Sequence, residues 1–491
     1  MTTNDSGDSR EQKTREAAPA ESCAGDRAKR RIALFCIPAH GHTNPMLPVA
    51  AELVRRGNTV RFYSFEEFGE KIRRTGAEFI PCDGFLSELS EKEAANLKNV
   101  SITEMTVADI GITLKMDDFL DQEFKSFRPD MVYTDSVCFW GKLNAWKHHV
   151  PMVVSTSTFA FNQMSSQYMK HPPSETADII FGLPRIGKAL KALKSRGYDV
   201  KNPLQLVQND NQTDCVVYTS HRFQPYADSF SGHYAFVGPS VFSDAVPNKA
   251  KVRPLVYISM GTVINDRPDF YRECVAALKD LDLDVIISCG NDLDRDKLGV
   301  LPGNIRMFPR VDQLDVLSRA DVFITHCGMN SVSESLYMAT PMVLYPQTGE
   351  QVAVAKRAAE IGAGIRLKRD NAESICAAVQ TVLADSSYRE AAAECSRDFR
   401  SCSGPAGAAD FIETAPHHPG GIDVLNALNR TNLIFLAVCW LVVFPLAIYV
   451  CRRFGFTRVW VIGIVFGILS GSLGKLVQKW RYASLVAKKN A

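Results

Sequence analysis

HCGMNSVSES, residues His326 to Ser335, directly follows the apolar run VFIT and directly precedes LYMATPMVLYPQTGEQ. A short β-type run that ends in a glycine-containing turn and opens a helix is where an α/β protein offers free backbone N–H groups to a phosphate. The turn adds a cation-capable imidazole at His326 and a small-residue approach at Gly328. Asn330 and Ser331 follow, and Glu334 lies four positions beyond Asn330, on the same helical face. That spacing sets a carboxylate one turn past the phosphate, within reach of ribose hydroxyls. The outline is a nucleotide-diphosphate site. Ser331-x-x-Glu334 also satisfies a capping box, which needs no ligand.

The same rhythm of strand, turn and helix recurs on both sides. RIALFCI precedes NPMLPVAAELVRRG, with Asn44 as the expected N-cap and Pro45 as the first helical position. TVRFYSF, AEFIPC, MVYTDSV, PMVVSTS, CVVYTS and YAFVGP read as further strands, while residues 161–211 interrupt them with longer amphipathic stretches. GPSVFSDAVPNKAKVRP has the composition of a linker. LVYISMGT then opens a second series with DVIISCG, NIRMFPR, DVFITHCG, PMVLYPQ and AGIRLK. The expected fold is α/β, two doubly wound parallel sheets with a ligand cleft between the C-terminal ends of their strands.

A chain of 491 residues is long enough for two such domains. Its 56 Lys and Arg against 54 Asp and Glu leave no basic field, so nucleic acid is not an expected partner. Thirteen scattered cysteines without a C-x-x-C pair suit reduced thiols, and no zinc site is expected. DLDLD (280–284) and DLDRD (292–296) have the D-x-D spacing of metal-dependent transferases but read as solvated charge runs. Neither a G-x-x-x-x-G-K-[ST] loop nor a G-x-G-x-x-G fingerprint occurs, which removes kinase and dehydrogenase readings.

PAHGHTNPMLPVAAELVRRG, FQPYADSF, FVGPS, ISMGT and the run from RVDQLDVL to TGEQ resemble, in this order, the motifs of the UDP-dependent glycosyltransferases. The resemblance is to the bacterial macrolide-glycosyltransferase-like branch and its fungal relatives, and it spans roughly Arg31 to Glu413. It implies a GT-B fold of two facing Rossmann-like domains. Residues 31–240 would bind the acceptor, 241–253 would link, and 254–413 would bind the nucleotide sugar and carry closing helices.

Such chemistry needs a base for the acceptor proton and fixed dipoles for the departing diphosphate. His42, in the turn after the first strand, is the candidate base, and the adjoining helix N-terminus is expected to keep it neutral. Asp135, ending the strand MVYTD, would hold its other ring nitrogen. The resemblance assigns the same two roles. The plain alternatives are a capping histidine and a capping carboxylate. His40 competes with His42 as base, and a His40/His42 metal pair lacks a third ligand.

For the donor, the resemblance implies a β-phosphate loop at Ser259, Gly261 and Thr262 and a phosphate turn at His326, Gly328, Asn330 and Ser331. It also implies ribose binding at Glu334, uracil contacts at Arg310, Val311 and Gln313, and sugar contacts at Glu350 and Gln351. Arg310 can stack its guanidinium on the base, and Gln351 leans the donor towards UDP-glucose. No cofactor or metal is implied, because the UDP-sugar is a co-substrate.

Residues 1–30 are polar and read as a disordered leader. NLIFLAVCWLVVFPLAIYV, Asn432 to Val450, has the length and composition of a membrane span. A second span is expected over 459–477, where Gly463, Gly467 and Gly471 repeat at every fourth position, after a tether over 414–431. The expected whole is an inverting, metal-independent transferase tethered by a C-terminal transmembrane hairpin. Its body would be cytosolic and would take a UDP-sugar and a lipophilic acceptor at the lipid bilayer, although three arginines in the connector oppose that orientation. A nucleotide-sugar epimerase and a silent membrane scaffold of the same fold are the alternatives.

Overall fold

A computed structural model describes the chain apart from residues 1–27, 86–100, 170–172, 201–205, 207–208, 210, 242–245, 249–251, 263–264, 292, 294–299, 454–458 and 491. Most of the expected leader, part of the expected linker and most of DLDRD therefore lie outside the described residues.

The apolar runs are strands, and every pairing is parallel. β1 (Arg31–Phe35), β2 (Thr59–Ser64), β3 (Glu78–Pro81), β4 (Met131–Asp135), β5 (Met152–Thr156), β6 (Cys215–Val217) and β7 (Tyr234–Phe236) form one sheet in the order β3-β2-β1-β4-β5-β6-β7. β8 (Leu255–Ser259), β9 (Asp284–Ser288), β10 (Ile305–Phe308), β11 (Val322–Thr325), β12 (Met342–Leu344) and β13 (Gly364–Arg366) form the second, in the order β10-β9-β8-β11-β12-β13. β4, β8 and β11 are buried at every residue, as expected of strands covered by helices on both faces.

Strand order reverses between β1 and β4 in the first sheet and between β8 and β11 in the second. Helices leave in opposite directions there, which opens a crevice at the strand C-termini. In the first sheet Phe35 pairs with Thr134, so Asp135 reaches one residue past the end of β1. Helix Phe139–Lys147 lies close behind this edge, because a Cβ at Gly141 would come within 2.2 Å of Thr134 Oγ1 and 2.7 Å of Phe35 Cβ.

Two expected boundaries, the first helix start and the tether end, are corrected, and one helix crosses between the domains. The first helix spans His40–Arg55 and is preceded by Ala39, so Asn44 and Pro45 lie inside it. Helix Gly404–Thr414 returns to the N-terminal domain, where Ala408, Ala409 and Ile412 join its core. Arg56 holds it through Asp410 at 2.8 Å and Glu413 at 2.9 Å. The last helix of the expected 254–413 half thus crosses over to pack on the other domain. The expected tether is also shorter, since a helix already starts at Val424.

That helix, Val424–Val438, runs through a π-helical stretch, Cys439–Val443, into Phe444–Arg453. Pro445 removes an N–H and crowds the preceding turn, which accounts for the wider stretch before it. Among the described residues Val424–Val450 is the one helix long and apolar enough to cross a membrane, with mean hydropathy 2.7. The second expected span falls within helix Val459–Lys489. The two helices meet at Gly474, whose Cβ would lie 2.9 Å from Asn432 Oδ1, and at Trp440 against Phe466. Both outer ends rest on the N-terminal domain: Val424, Leu428 and Leu485 pack with Met164, and Tyr482 meets Tyr226 edge to face. Lys489 Nζ donates to the carbonyl of Phe230 at 2.9 Å.

Gly141→Ala is expected to lower the unfolding free energy by about 1–3 kcal/mol through overpacking, although alanine is the better helix former by about 1 kcal/mol. Urea unfolding followed by circular dichroism checks it, and an unchanged midpoint would mean that the helix can move off β1 and β4.

Candidate active site

Three neighbouring strands each deliver one group to the first crevice. His42 stands in the first turn of helix His40–Arg55, after β1. Asp135 ends β4 with no exposed surface, and Ser157 follows β5. His42 Nδ1 lies 2.9 Å from Asp135 Oδ2 and 3.1 Å from Ser157 Oγ. Asp135 Oδ1 accepts the N–H of Val137 at 3.0 Å, which fixes the carboxylate. An Nδ1–H donated to Asp135 leaves the Nε2 lone pair to take a proton. Ser157 was not anticipated, although PMVVSTS ends at the same sheet edge as MVYTD.

The expected cause of His42's charge state is corrected. Burial opposes protonation, but the charge and hydrogen bond of Asp135 outweigh it, with help from Glu350 across the cleft, and the net pKa is raised. The carboxylate, not the helix N-terminus, sets this ring. His40 does not compete for the same place: its Nε2 lies 2.9 Å from Glu67 Oε1 and its ring meets Phe68 edge on. Among the described residues no group of three or more His, Cys, Asp or Glu side chains could hold a metal ion.

Across the cleft, the stretch after β11 forms a tight turn. Cys327 adopts a left-handed backbone, φ 66°, and Gly328 precedes helix Met329–Tyr337. A non-glycine residue in that conformation stores local strain, a feature that clusters at binding sites. The His326 ring is wedged between two glycines: a Cβ at Gly261 would lie 2.6 Å from it and one at Gly328 2.5 Å. Gly261 also has φ 79°, closed to most side chains. Burial lowers the His326 pKa to about 4. Burial thus favours the neutral, hydrogen-bonding form of this cation-capable imidazole.

The capping-box reading of Ser331 and Glu334 is also corrected, because Gly328 is the N-cap and no side chain caps it. Glu334 Oε2 instead accepts Gln313 Nε2 at 2.6 Å, and Gln313 Oε1 accepts the Tyr257 hydroxyl at 3.0 Å. Gln313 is thus committed to holding Glu334. Burial raises the Glu334 carboxyl to about 7, against the opposing hydrogen bond from Gln313.

The other expected donor residues divide into engaged and open groups. Ser259 Oγ accepts the Gly261 N–H at 3.3 Å, while Thr262 is exposed. Arg310 is exposed and Val311 half-buried. Glu350 is exposed at the start of helix Gly349–Glu360. Gln351 forms a capping box with Thr348, and its Oε1 accepts the Gln347 N–H at 2.8 Å. Gln347 Oε1 in turn accepts Arg267 at 2.7 Å, and the same guanidinium donates to the Tyr345 hydroxyl at 3.0 Å. Arg267 and Tyr345 lie far apart in sequence, so their pairing had no local signal.

The two crevices face each other, and Asn330 Nδ2 donates to the Gly41 carbonyl across the cleft at 3.0 Å. Two parallel α/β domains joined at such a cleft, with a His–Asp pair on one side and a phosphate-type turn on the other, define a glycosyl-transfer architecture. Residues 272–414 match the family model of the erythromycin biosynthesis protein CIII-like C-terminal domain. The uncharacterized UDP-glucosyltransferase YojK of Bacillus subtilis is 32% identical over 393 residues, 78% of this chain and 96% of its own. The demethyllactenocin mycarosyltransferase of Streptomyces fradiae is 32% identical over 404 residues, 78% and 86% of the two chains. The crystal structure of the glycotransferase of kitacinnamycin superposes with TM-score 0.66 at 25% identity, covering 78% and 98%. The chain belongs to the UDP-glycosyltransferase family, in its macrolide-glycosyltransferase-like branch, and is an enzyme of that type.

The pKa near 7 at Glu334 gives a pH test. Ribose hydroxyls donate to a carboxylate, so UDP affinity should strengthen as pH rises from 5.5 to 8.5 and Glu334 loses its proton. Glu334→Gln should flatten that dependence. Calorimetric titration of UDP at three pH values checks both, and an equal slope in the two proteins would remove Glu334 from ribose binding.

Proposed function

We propose that the enzyme moves a hexose, glucose in the first instance, from its UDP-sugar to a hydroxyl of a lipophilic small molecule, with inversion and without a metal. His42 Nε2 takes the acceptor proton as the oxygen attacks the anomeric carbon opposite the leaving UDP. Asp135 steadies the imidazolium that forms, and Ser157 supports the ring. His326, Ser259, Gly261 and the helix start after Gly328 meet the diphosphate. Glu334 meets the ribose, Arg310 and Val311 the uracil, and Glu350 and Gln351 the sugar. The observation that carries this reading is the 2.9 Å His42–Asp135 contact opening on the same cleft as the His326 turn. The relatives differ by name in the sugar they transfer, a glucosyl group in one and a mycarosyl group in the other. Gln351 therefore supports glucose only through the resemblance. No relative described here is an epimerase.

We further propose that the C-terminal helices lie in a bilayer and deliver a lipophilic acceptor, with the body in the cytosol. Leu433, Ile434, Leu441, Val442, Leu446 and Tyr449 are exposed on the first of them, an apolar face that suits lipid. Asn211, in one of four glycosylation sequons, is buried, and its amide is bonded to Asp423 and Ser231. This supports a bare asparagine.

His42→Ala is expected to slow transfer from UDP-glucose to a phenolic probe by about two to four orders of magnitude, with UDP affinity unchanged. In wild type the acid limb of the pH–rate profile should lie above the ordinary histidine value, since His42 must lose a proton that Asp135 helps it keep. Asp135→Asn should slow the reaction less and move that limb to lower pH. Near wild-type turnover in the alanine variant would remove His42 as base.

Deleting residues 432–491 should leave UDP-glucose hydrolysis intact, because no proposed catalytic or donor residue lies there. The thermal midpoint should fall as Tyr482 and Leu485 leave their packing sites. Loss of the lipophilic transfer even in detergent would make the helices part of the acceptor path. A glycosidase-sensitive mass shift of the full chain, at Asn211 or Asn429, would overturn the cytosolic assignment.

A further inference from the structure

Helix His40–Arg55 carries Pro45 and Pro48 inside it, although an interior proline costs a helix about 3 kcal/mol. A proline has no N–H, so the carbonyl four residues earlier loses its intrahelical donor. For Pro45 that carbonyl belongs to Gly41. The Gly41 carbonyl is the acceptor of Asn330 Nδ2 at 3.0 Å, a bond between the turn before the candidate base and the donor turn of the other domain. Gly41 adjoins His42, and Asn330 lies two residues beyond Gly328. A Cβ on Gly41 would sit 3.9 Å from Asn330 Nδ2, so the two turns are already in contact range. The Pro45 carbonyl also accepts Ser240 Oγ at 2.7 Å, which ties the same turn of helix to the chain leaving the N-terminal domain.

We propose that Asn330 is a positioning residue that latches the two domains, and that Pro45 keeps the Gly41 carbonyl open to receive it. The inference rests on His42 as the base. The latch sets how far His42 stands from the anomeric carbon of a donor bound at the His326 turn. It also revises the part expected of Asn330. One of the two Asn330 amide hydrogens is committed to Gly41, which leaves a single N–H for phosphate beside the helix N–H groups, His326 and the Ser259–Gly261 loop.

The test uses the full-length chain in detergent, with UDP-glucose as donor and 4-methylumbelliferone as probe acceptor. Pro45→Ala returns an N–H to position 45, which competes with Asn330 for the Gly41 carbonyl. Its kcat should fall about threefold to tenfold, the range for one lost neutral hydrogen bond. UDP affinity should hold and the thermal midpoint should stay level or rise, because alanine suits a helix better than proline. That combination separates a positioning effect from poor folding. Asn330→Ala should lower kcat to a similar degree, and the double variant should be no slower than the slower single one, since both remove the same bond. Wild-type kcat in Pro45→Ala, or two effects that multiply in the double variant, would overturn the latch. So would Asn330→Ala weakening UDP affinity tenfold while Pro45→Ala changes nothing, which would make Asn330 a phosphate ligand. Full activity in His42→Ala would sink the base assignment instead, and the coupling between positions 45 and 330 would still be readable in the rate of UDP release to water.

Discussion

The reversal of strand order beside β1 and again beside β8 is the constraint on which the rest depends. A parallel sheet leaves its strand C-termini open only where successive crossovers depart to opposite faces. His42 and Asp135 flank that point in the first sheet, and Ser259 and His326 flank it in the second. Four groups from distant parts of the chain therefore meet without any long loop to carry them. Asp135, Ser259 and His326 stand at the ends of buried strands and His42 in the first turn of the helix that follows β1, so their positions inherit the stiffness of a core.

The two sides of the cleft handle burial in opposite ways. On the N-terminal side the buried Asp135 carboxylate raises the affinity of His42 for a proton. On the donor side no carboxylate faces His326, and burial alone keeps that ring neutral. Glu334 is buried as well, yet its partner is the neutral Gln313 amide, which cannot offset the cost of charge, so its carboxyl titrates near 7. The two histidines thus shift in opposite directions, and the Glu334 carboxyl shifts upward. Partner identity decides among these three, since only His42 has a carboxylate beside it to offset desolvation.

The strands, their parallel pairing and the His42–Asp135 contact were legible because they follow from local runs and from the rule that parallel strands end at one edge. What escaped was set by contacts without a sequence period. Pro45 looked like a helix start, as proline often is, but the helix begins at His40 and the proline's missing N–H is used across the cleft. Ser331 and Glu334 matched a capping box, yet the chain enters the helix through a left-handed Cys327, and Gly328 takes the cap. Helix Gly404–Thr414 looked like the close of the second domain. Its small residues, Ala408 and Ala409, fit against the first domain instead, and Arg56 supplies the charge that keeps it there.

A helix of 31 residues is about 46 Å long, whereas a bilayer core is about 30 Å thick. If the apolar part lies in lipid, roughly ten residues at the C-terminal end must stand clear of it, and Tyr482, Leu485 and Lys489 occupy that leg. The leg packs on Tyr226, whose ring meets Tyr168 edge to face. Tyr168 in turn donates to Glu360 at 2.6 Å and lies under Lys356, both on the helix that begins with Glu350 and Gln351. A continuous line of contacts therefore runs from this leg to helix Gly349–Glu360 of the second domain. The leg therefore bears on the N-terminal domain directly and on helix Gly349–Glu360 only through Tyr226 and Tyr168, so the packing of the last helix and the approach of the two domains share one set of contacts.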